Sequence, residues 1–264
     1  MEFKDASMRG STYEHVELGG ALFRDVDLSG ARFTSVDLSG VVMRGVDLVD
    51  VSINGEIRNL VINEVDVAPL VEAELDRRYP DRVKMRPTGP AGFREAWELV
   101  GRLWDGTVGR ARRMAPELLH ERVDGEWSFI ETLRHLVFAT DAWIRRGVLG
   151  DPKPWDALDL PWDEMPDTPG VPRDRVVRPS LDTVLALRAD RTATVRQVID
   201  GLTDETLDSH TEPVTEPGWP PPSRSFPVRE CLLVVLNEEW EHRRYAERDL
   251  DVLDARGTTG GRGR

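Results

Sequence analysis

Residues 1–54 place a large side chain at every fifth position without a break: Phe3, Met8, Tyr13, Leu18, Phe23, Leu28, Phe33, Leu38, Met43, Leu48 and Ile53. Two positions before most of these stands a second small or apolar residue, at Ala6, Val16, Ala21, Val26, Ala31, Val36, Val41, Val46 and Val51. A helical period drifts off this register and a strand period alternates, so neither explains it. Two inward positions in every five fit a coiled β-solenoid, in which stacked turns bury what a single turn cannot.

The stretch DLSGARFTSVDLSG, residues 27–40, resembles the pentapeptide-repeat family. That resemblance implies a right-handed β-solenoid with four repeats to each square turn, and so three turns over residues 1–67. Pro69–Tyr79 reads as a short helix that caps the solenoid, whose open end would otherwise present unpaired backbone groups. Pro80–Pro90, with three prolines and a glycine, reads as a linker, so residues 68–90 join two domains. Some pentapeptide-repeat proteins are described as acidic mimics of duplex DNA. Residues 1–67 hold 6 Lys/Arg and 12 Asp/Glu, which gives that role the right sign. Three turns, however, span only about 15 Å at strand spacing, enough to match a few base pairs. A docking or stabilising arm is the better expectation, with a protein partner or a second copy of the chain as its target.

Residues 91–256 read as an all-α four-helix bundle. The first helix runs from Gly92 to Met114, with Phe93, Ala96, Trp97, Val100, Trp104, Val108 and Ala111 at helical spacing. The second starts after Trp127, where Ser128 followed by Glu131 makes a capping-box pattern, and continues to Gly150. The third spans Ser180 to Ile199, and the fourth spans Pro227 to Asp254 with no internal glycine or proline. Two connections are longer than bundle loops usually are. Asp151–Pro179 contains seven prolines with Trp155 and Trp162, and Ser209–Phe226 contains Trp219. Proline-rich segments of this kind either strap down over a bundle or border a site, and these tryptophans are candidates for pocket walls. The glycine-rich tail, residues 257–264, is expected to be disordered.

The net charge of −13 argues against nucleic acid or an anionic membrane as the main partner. The single cysteine, Cys231, cannot form an internal disulfide and fits a reducing compartment. No signal-like start and no membrane-length apolar run is visible, so a cytoplasmic protein is expected.

On the last helix Cys231, Val234, Val235, Glu238, His242 and Tyr245 share one face, while Glu239, Glu241, Arg243, Arg244, Glu247 and Arg248 point mostly elsewhere. A carboxylate and an imidazole four residues apart thus lie in the stripe that faces the core. Burying an unpaired carboxylate costs several kcal/mol, so Glu238 needs a partner. On the second helix His135 shares a half-apolar face with Phe138, Ala139 and Ala142. Together His135, Glu238 and His242 offer three N/O ligands from facing helices, with room for a fourth ligand, the pattern of a catalytic metal site. Zn²⁺ suits two imidazoles and a carboxylate, and Ni²⁺, Fe²⁺ or Mn²⁺ fit the same donors. Against this stand a Glu238–Arg188 ion pair and a core histidine at His135. Arg188 and Thr192 on the third helix are candidate substrate contacts, and Cys231 a candidate ligand or nucleophile. His120 and His210 are candidates for a fourth ligand or acid–base group, while His15 lies in the repeat without a partner at ligand spacing.

DGEWSFIETLRHLVFATDAW, followed about a hundred residues later by LNEEWEHRRYAERDL, resembles the DinB-like metalloenzyme superfamily. Many members carry three histidines, with His-x-x-x-His on the last helix; here the first of that pair is Glu238. The mycothiol-dependent maleylpyruvate isomerase branch uses a His, Glu, His zinc set, and positions 135, 238 and 242 match it. The resemblance implies a bundle with a long crossover between its second and third helices and a divalent metal. It also implies mycothiol or another small thiol as co-substrate, with S-transfer or isomerisation of a small molecule. Two other readings remain: metal-dependent hydrolysis by a bound water, and a binding or regulatory protein that keeps its metal for stability.

Overall fold

The computed structural model describes residues 2–260 and divides the chain into two units, Met1–Val51 and Ser52–Arg264. In the first, the backbone turns a left-handed corner every fifth residue, from Asp5 (φ 49°) through Gly10, His15, Gly20, Asp25, Gly30, Ser35, Gly40 and Gly45 to Asp50. Alternate corners are closed by a backbone hydrogen bond. Ser11, Ala21, Ala31 and Val41 donate to the carbonyls of Met8, Leu18, Leu28 and Leu38, a ten-residue recurrence. Gly30 (φ 74°) shows why glycine recurs at these corners, since a side chain there would be strained. Asp27 and Asp37 reinforce theirs by accepting from the Ser29 and Ser39 amides.

Side-chain burial in this unit is graded. The five-residue row, from Phe3 to Leu48, is 42–62% exposed, whereas the off-row Leu22, Val42 and Val49 are 73–76% exposed. The row is therefore less exposed than those side chains between its members, without being enclosed. Arg9 meets Asp27 at 3.6 Å, eighteen positions on, so the chain returns upon itself after nearly four repeats. Strand ladders are missing from this unit among the described residues. Four-residue sides between corners leave little backbone to pair.

The second unit opens with a hairpin, β1 (Val61–Ile62) and β2 (Val65–Asp66), turned by Asn63 and Glu64 at positive φ. Helix α1 (Ala68–Arg78) follows, and a 3-10 segment (Pro80–Met85) occupies most of the expected linker. Arg82 ties this segment to α1 through Glu72 and Asp76, each at 2.8 Å, and reaches Glu241 at 3.9 Å, and both elements fall within the second unit. The long helices are α2 (Pro90–Ala111), α3 (Phe129–Thr140), α4 (Leu181–Asp200) and α6 (Val228–Gly260), with a short α5 (Asp204–Leu207) after α4. Pro90 starts α2 where a missing N–H does no harm. At α3 both halves of the Ser128–Glu131 capping box are made. Beyond Thr140, α3 continues as a π-helical stretch, Asp141–Val148. Helix α6 runs past its expected end at Asp254, and of the expected disordered tail residues 261–264 lie outside the described residues.

Helices α2 and α3 each pack on both α4 and α6, around a core that includes Phe93, Trp97, Leu133, Leu136, Val195 and Leu236. The two long connections fold onto α3 and are pinned by buried arginines. Arg134 donates to the carbonyls of Leu158 (2.8 Å), Asp174 (2.6 Å) and Val177 (3.5 Å). Arg146 donates to those of Pro152 (3.1 Å), Glu216 (2.5 Å) and Pro220 (3.3 Å). Among the described residues no helix is long and apolar enough to cross a membrane.

Candidate metal centre

Helix α3 brings His135 to the interior and α6 brings Glu238 and His242, four residues apart and one turn from each other. His242 Nε2 lies 3.0 Å and His135 Nε2 3.3 Å from the same carboxylate oxygen, Glu238 Oε2. The three ligand atoms all fall within 4.8 Å of one another. Burial alone would raise the Glu238 carboxyl. Hydrogen bonding to His135 and His242, and their charge, overturn that and hold it below the usual carboxylate range.

The other ring nitrogen of His135 fixes its protonation. Nδ1 lies 2.9 Å from the carbonyl of Leu160, which can only accept, so Nδ1 carries the proton. In a neutral ring Nε2 is then a bare lone pair facing a carboxylate oxygen. Two acceptors at 3.3 Å need a proton or a cation between them. With metal–ligand bonds of about 2.0–2.1 Å, tetrahedral neighbours sit about 3.3–3.4 Å apart. The two spacings to Glu238 Oε2 are close to that, and two imidazole nitrogens with one anionic oxygen are the donors a borderline divalent metal prefers. The residues fit a metal ion.

Aromatic rings immobilise the pair of imidazoles. Trp127 stacks on His242 (centroids 5.7 Å apart, 13° between planes) and leans on His135 at 4.5 Å. Tyr245 stands edge-on to His242 at 6.0 Å. Phe138, one turn along α3, lies 6.0 Å from His135 and carries Trp155 and Trp162 from the crossover, and Trp219 packs edge-on against Trp162. These three tryptophans thus pack around Phe138 and back the site through it.

A family model described as the DinB superfamily matches residues 99–246, more than half of the chain. The chain belongs to the DinB superfamily. Pentapeptide-repeat models match eight copies across residues 2–40 and 14–48, so this DinB protein carries a repeat segment ahead of its helical domain. No curated protein and no solved structure matches the chain.

Several expected site residues are placed elsewhere. Arg188 gives its guanidinium to Glu239, at 2.8 and 3.1 Å, and lies over the Trp104 ring, so it neither pairs with Glu238 nor is free for a substrate. Glu239, expected on the solvent side, is 1% exposed. Helix α6 is buried along a second stripe, Leu232, Leu236 and Trp240, and Glu239 lies between the two. Those apolar residues were the available signal. The Thr192 hydroxyl donates to Ala189 within its own helix. Cys231 is fully buried against Gly147, and burial pushes its thiol up to about 12, which removes it as a thiolate ligand or nucleophile. His120, His210 and His15 are not in the cluster. His120 ends a 3-10 turn, His210 pairs its backbone with Pro227, and His15 is a corner of the repeat. Sequence reasoning missed Trp127 as a ring support and the Leu160 carbonyl as a ring anchor.

Proposed function

We propose that this DinB protein is a divalent-metal-dependent enzyme that activates a small thiol, mycothiol-like, for S-transfer to or isomerisation of a small electrophile. The observation that carries the reading is the convergence of His135 Nε2 and His242 Nε2 on the one oxygen Glu238 Oε2, with His135 Nδ1 anchored on the Leu160 carbonyl. His135 and His242 supply neutral nitrogens and Glu238 the anionic oxygen. Zn²⁺ suits this set best, with Ni²⁺, Fe²⁺ and Mn²⁺ as the other fitting ions. A divalent metal with an open position supplies acidity, lowering the pKa of a coordinated thiol or water. The chain's own residues hold the geometry. Leu160 fixes the His135 tautomer, Trp127 fixes the plane of His242, and Phe138 and Tyr245 keep water from the flanks.

The reading includes the architecture. Mutual packing of α2 and α3 with α4 and α6 supports a four-helix bundle with a long crossover. The five-residue corners and the graded exposure of their row support a right-handed β-solenoid, whose half-open row suits an interaction arm. The test is spectroscopic. Protein loaded with Co²⁺ and mixed with a small thiol should develop a sulfur-to-cobalt charge-transfer band that Glu238→Ala lacks. Bound Co²⁺ whose spectrum ignores thiols would refute thiol activation.

A further inference from the structure

Leu158, Asp159 and Leu160 are three consecutive residues of the crossover, and the outer two each meet a different side chain of α3. The Leu158 carbonyl accepts from Arg134 Nε at 2.8 Å, and the Leu160 carbonyl accepts from His135 Nδ1 at 2.9 Å. Asp159 lies between them with no exposed surface. Its Oδ2 accepts from the Asp156 amide at 3.2 Å, and its Oδ1 has no partner.

The charged groups around Asp159 do not compensate an anion there. Asp141, at the start of the π-helical stretch, acts on it as a like charge. Arg191 on α4 acts on it as an opposite charge, but its Nε and Nη2 bind both oxygens of Asp141 (2.8 and 2.9 Å) and its Nη1 binds Asp190 (2.7 Å). Arg145 is taken by Asp141, Asp151 and the Pro154 carbonyl, and Arg134 by three carbonyls. Asp156 adds a further negative charge. An ionised oxygen with no donor in such a place costs far more than a neutral one.

We propose that Asp159 is a positioning residue carried as a neutral acid, whose ionisation releases the Leu158–Leu160 segment and with it the ring of His135. Burial, then the charge of Asp141, push its carboxyl well above the usual range, in line with this geometry. The consequence is regulation of the metal centre proposed above, on which this inference rests: metal affinity falls as Asp159 loses its proton at rising pH. Loss of such an outer partner typically weakens metal binding by about tenfold or more.

The test uses the metal-free full chain first. NMR detects the hydrogen-bonded Nδ1 proton of His135, assigned by its absence in His135→Gln. As pH rises from about 6 to about 9 that signal should fade in the wild type and persist in Asp159→Asn, which keeps the shape without the charge. Co²⁺ affinity should fall about tenfold over the same range in the wild type relative to Asp159→Asn. Parallel behaviour of the two proteins overturns the proposal. Should Asp159→Asn not fold, a wild-type signal that persists to high pH overturns it equally. If neither protein binds Co²⁺, the metal reading fails, while the proton signal still decides whether Asp159 governs His135.

Discussion

The two units invert the usual rule about what is inside. The helical unit encloses Arg134, Arg146, Asp141 and Glu239, each at most 2% exposed, whereas the repeat unit leaves Phe23, Leu28 and Phe33 more than half exposed. The difference is one of partners. In the helical unit long connections bring carbonyls and counter-charges to meet buried polar groups. Each repeat, by contrast, meets only its neighbours, so its apolar row is covered only as far as the turns approach each other. Burial thus follows from what a residue meets across the fold, and hydrophobicity alone predicts it poorly here.

The contrast can be broken at its strongest point by removing Glu239. Glu239→Ala leaves Arg188 buried and uncompensated and should lower unfolding free energy by about 3–5 kcal/mol in urea titrations. A change under about 0.5 kcal/mol would mean the pair is solvated after all. Smaller is the effect expected of Gly218→Ala. A Cβ there would lie 2.7 Å from Arg146 Cζ, which three carbonyls hold in place, so a loss of about 1–3 kcal/mol should follow.

Acid stability sharpens the comparison further. The Glu238 carboxyl titrates lower folded than unfolded, so it contributes stability above its unfolded pKa that is lost as pH falls through the folded value. Asp159 has the opposite sign: its folded value is raised, so stability is fullest at low pH and declines as pH rises. Urea midpoints of metal-free Glu238→Gln should therefore depend less on pH below about 4.5 than those of the wild type. The two curves coinciding would show that the carboxylate gains nothing from the histidines. The smallest effect belongs to the repeat. Leu22→Ser, at a side chain 76% exposed, should change local stability by under about 0.5 kcal/mol. Leu28→Ser should speed hydrogen exchange across residues 2–50 more than Leu22→Ser does, and equal rates would mean that the row is not turned inward.

Much of the helical unit is legible in the sequence, because its signals are local. Apolar spacing and the Ser128–Glu131 box mark α3, and an uninterrupted run marks α6. The meeting of His135 with Glu238 and His242 is legible too, since Glu238 and His242 share a helical face and His135 lies on a half-apolar one. What the sequence hides is non-local. The Leu160 carbonyl at His135, the Arg134 anchor and the Asp141–Arg191 pair depend on where the crossover lands and on the π-helical turn at Asp141. Glu239 is hidden for a different reason: it lies off the Cys231–Tyr245 stripe of α6, and the helix is buried along a second stripe as well. In the repeat the period foretells the corners every fifth residue but not how closely successive turns approach.

The central claim is that His135, Glu238 and His242 hold one metal ion. Elemental analysis of the purified protein beside Glu238→Ala, with both checked for equal helix content by circular dichroism, tests it most directly. The account predicts about one divalent metal per wild-type chain and almost none in the variant. Equal metal content in the two proteins, or a wild type that stays metal-free after loading with Zn²⁺, would contradict it.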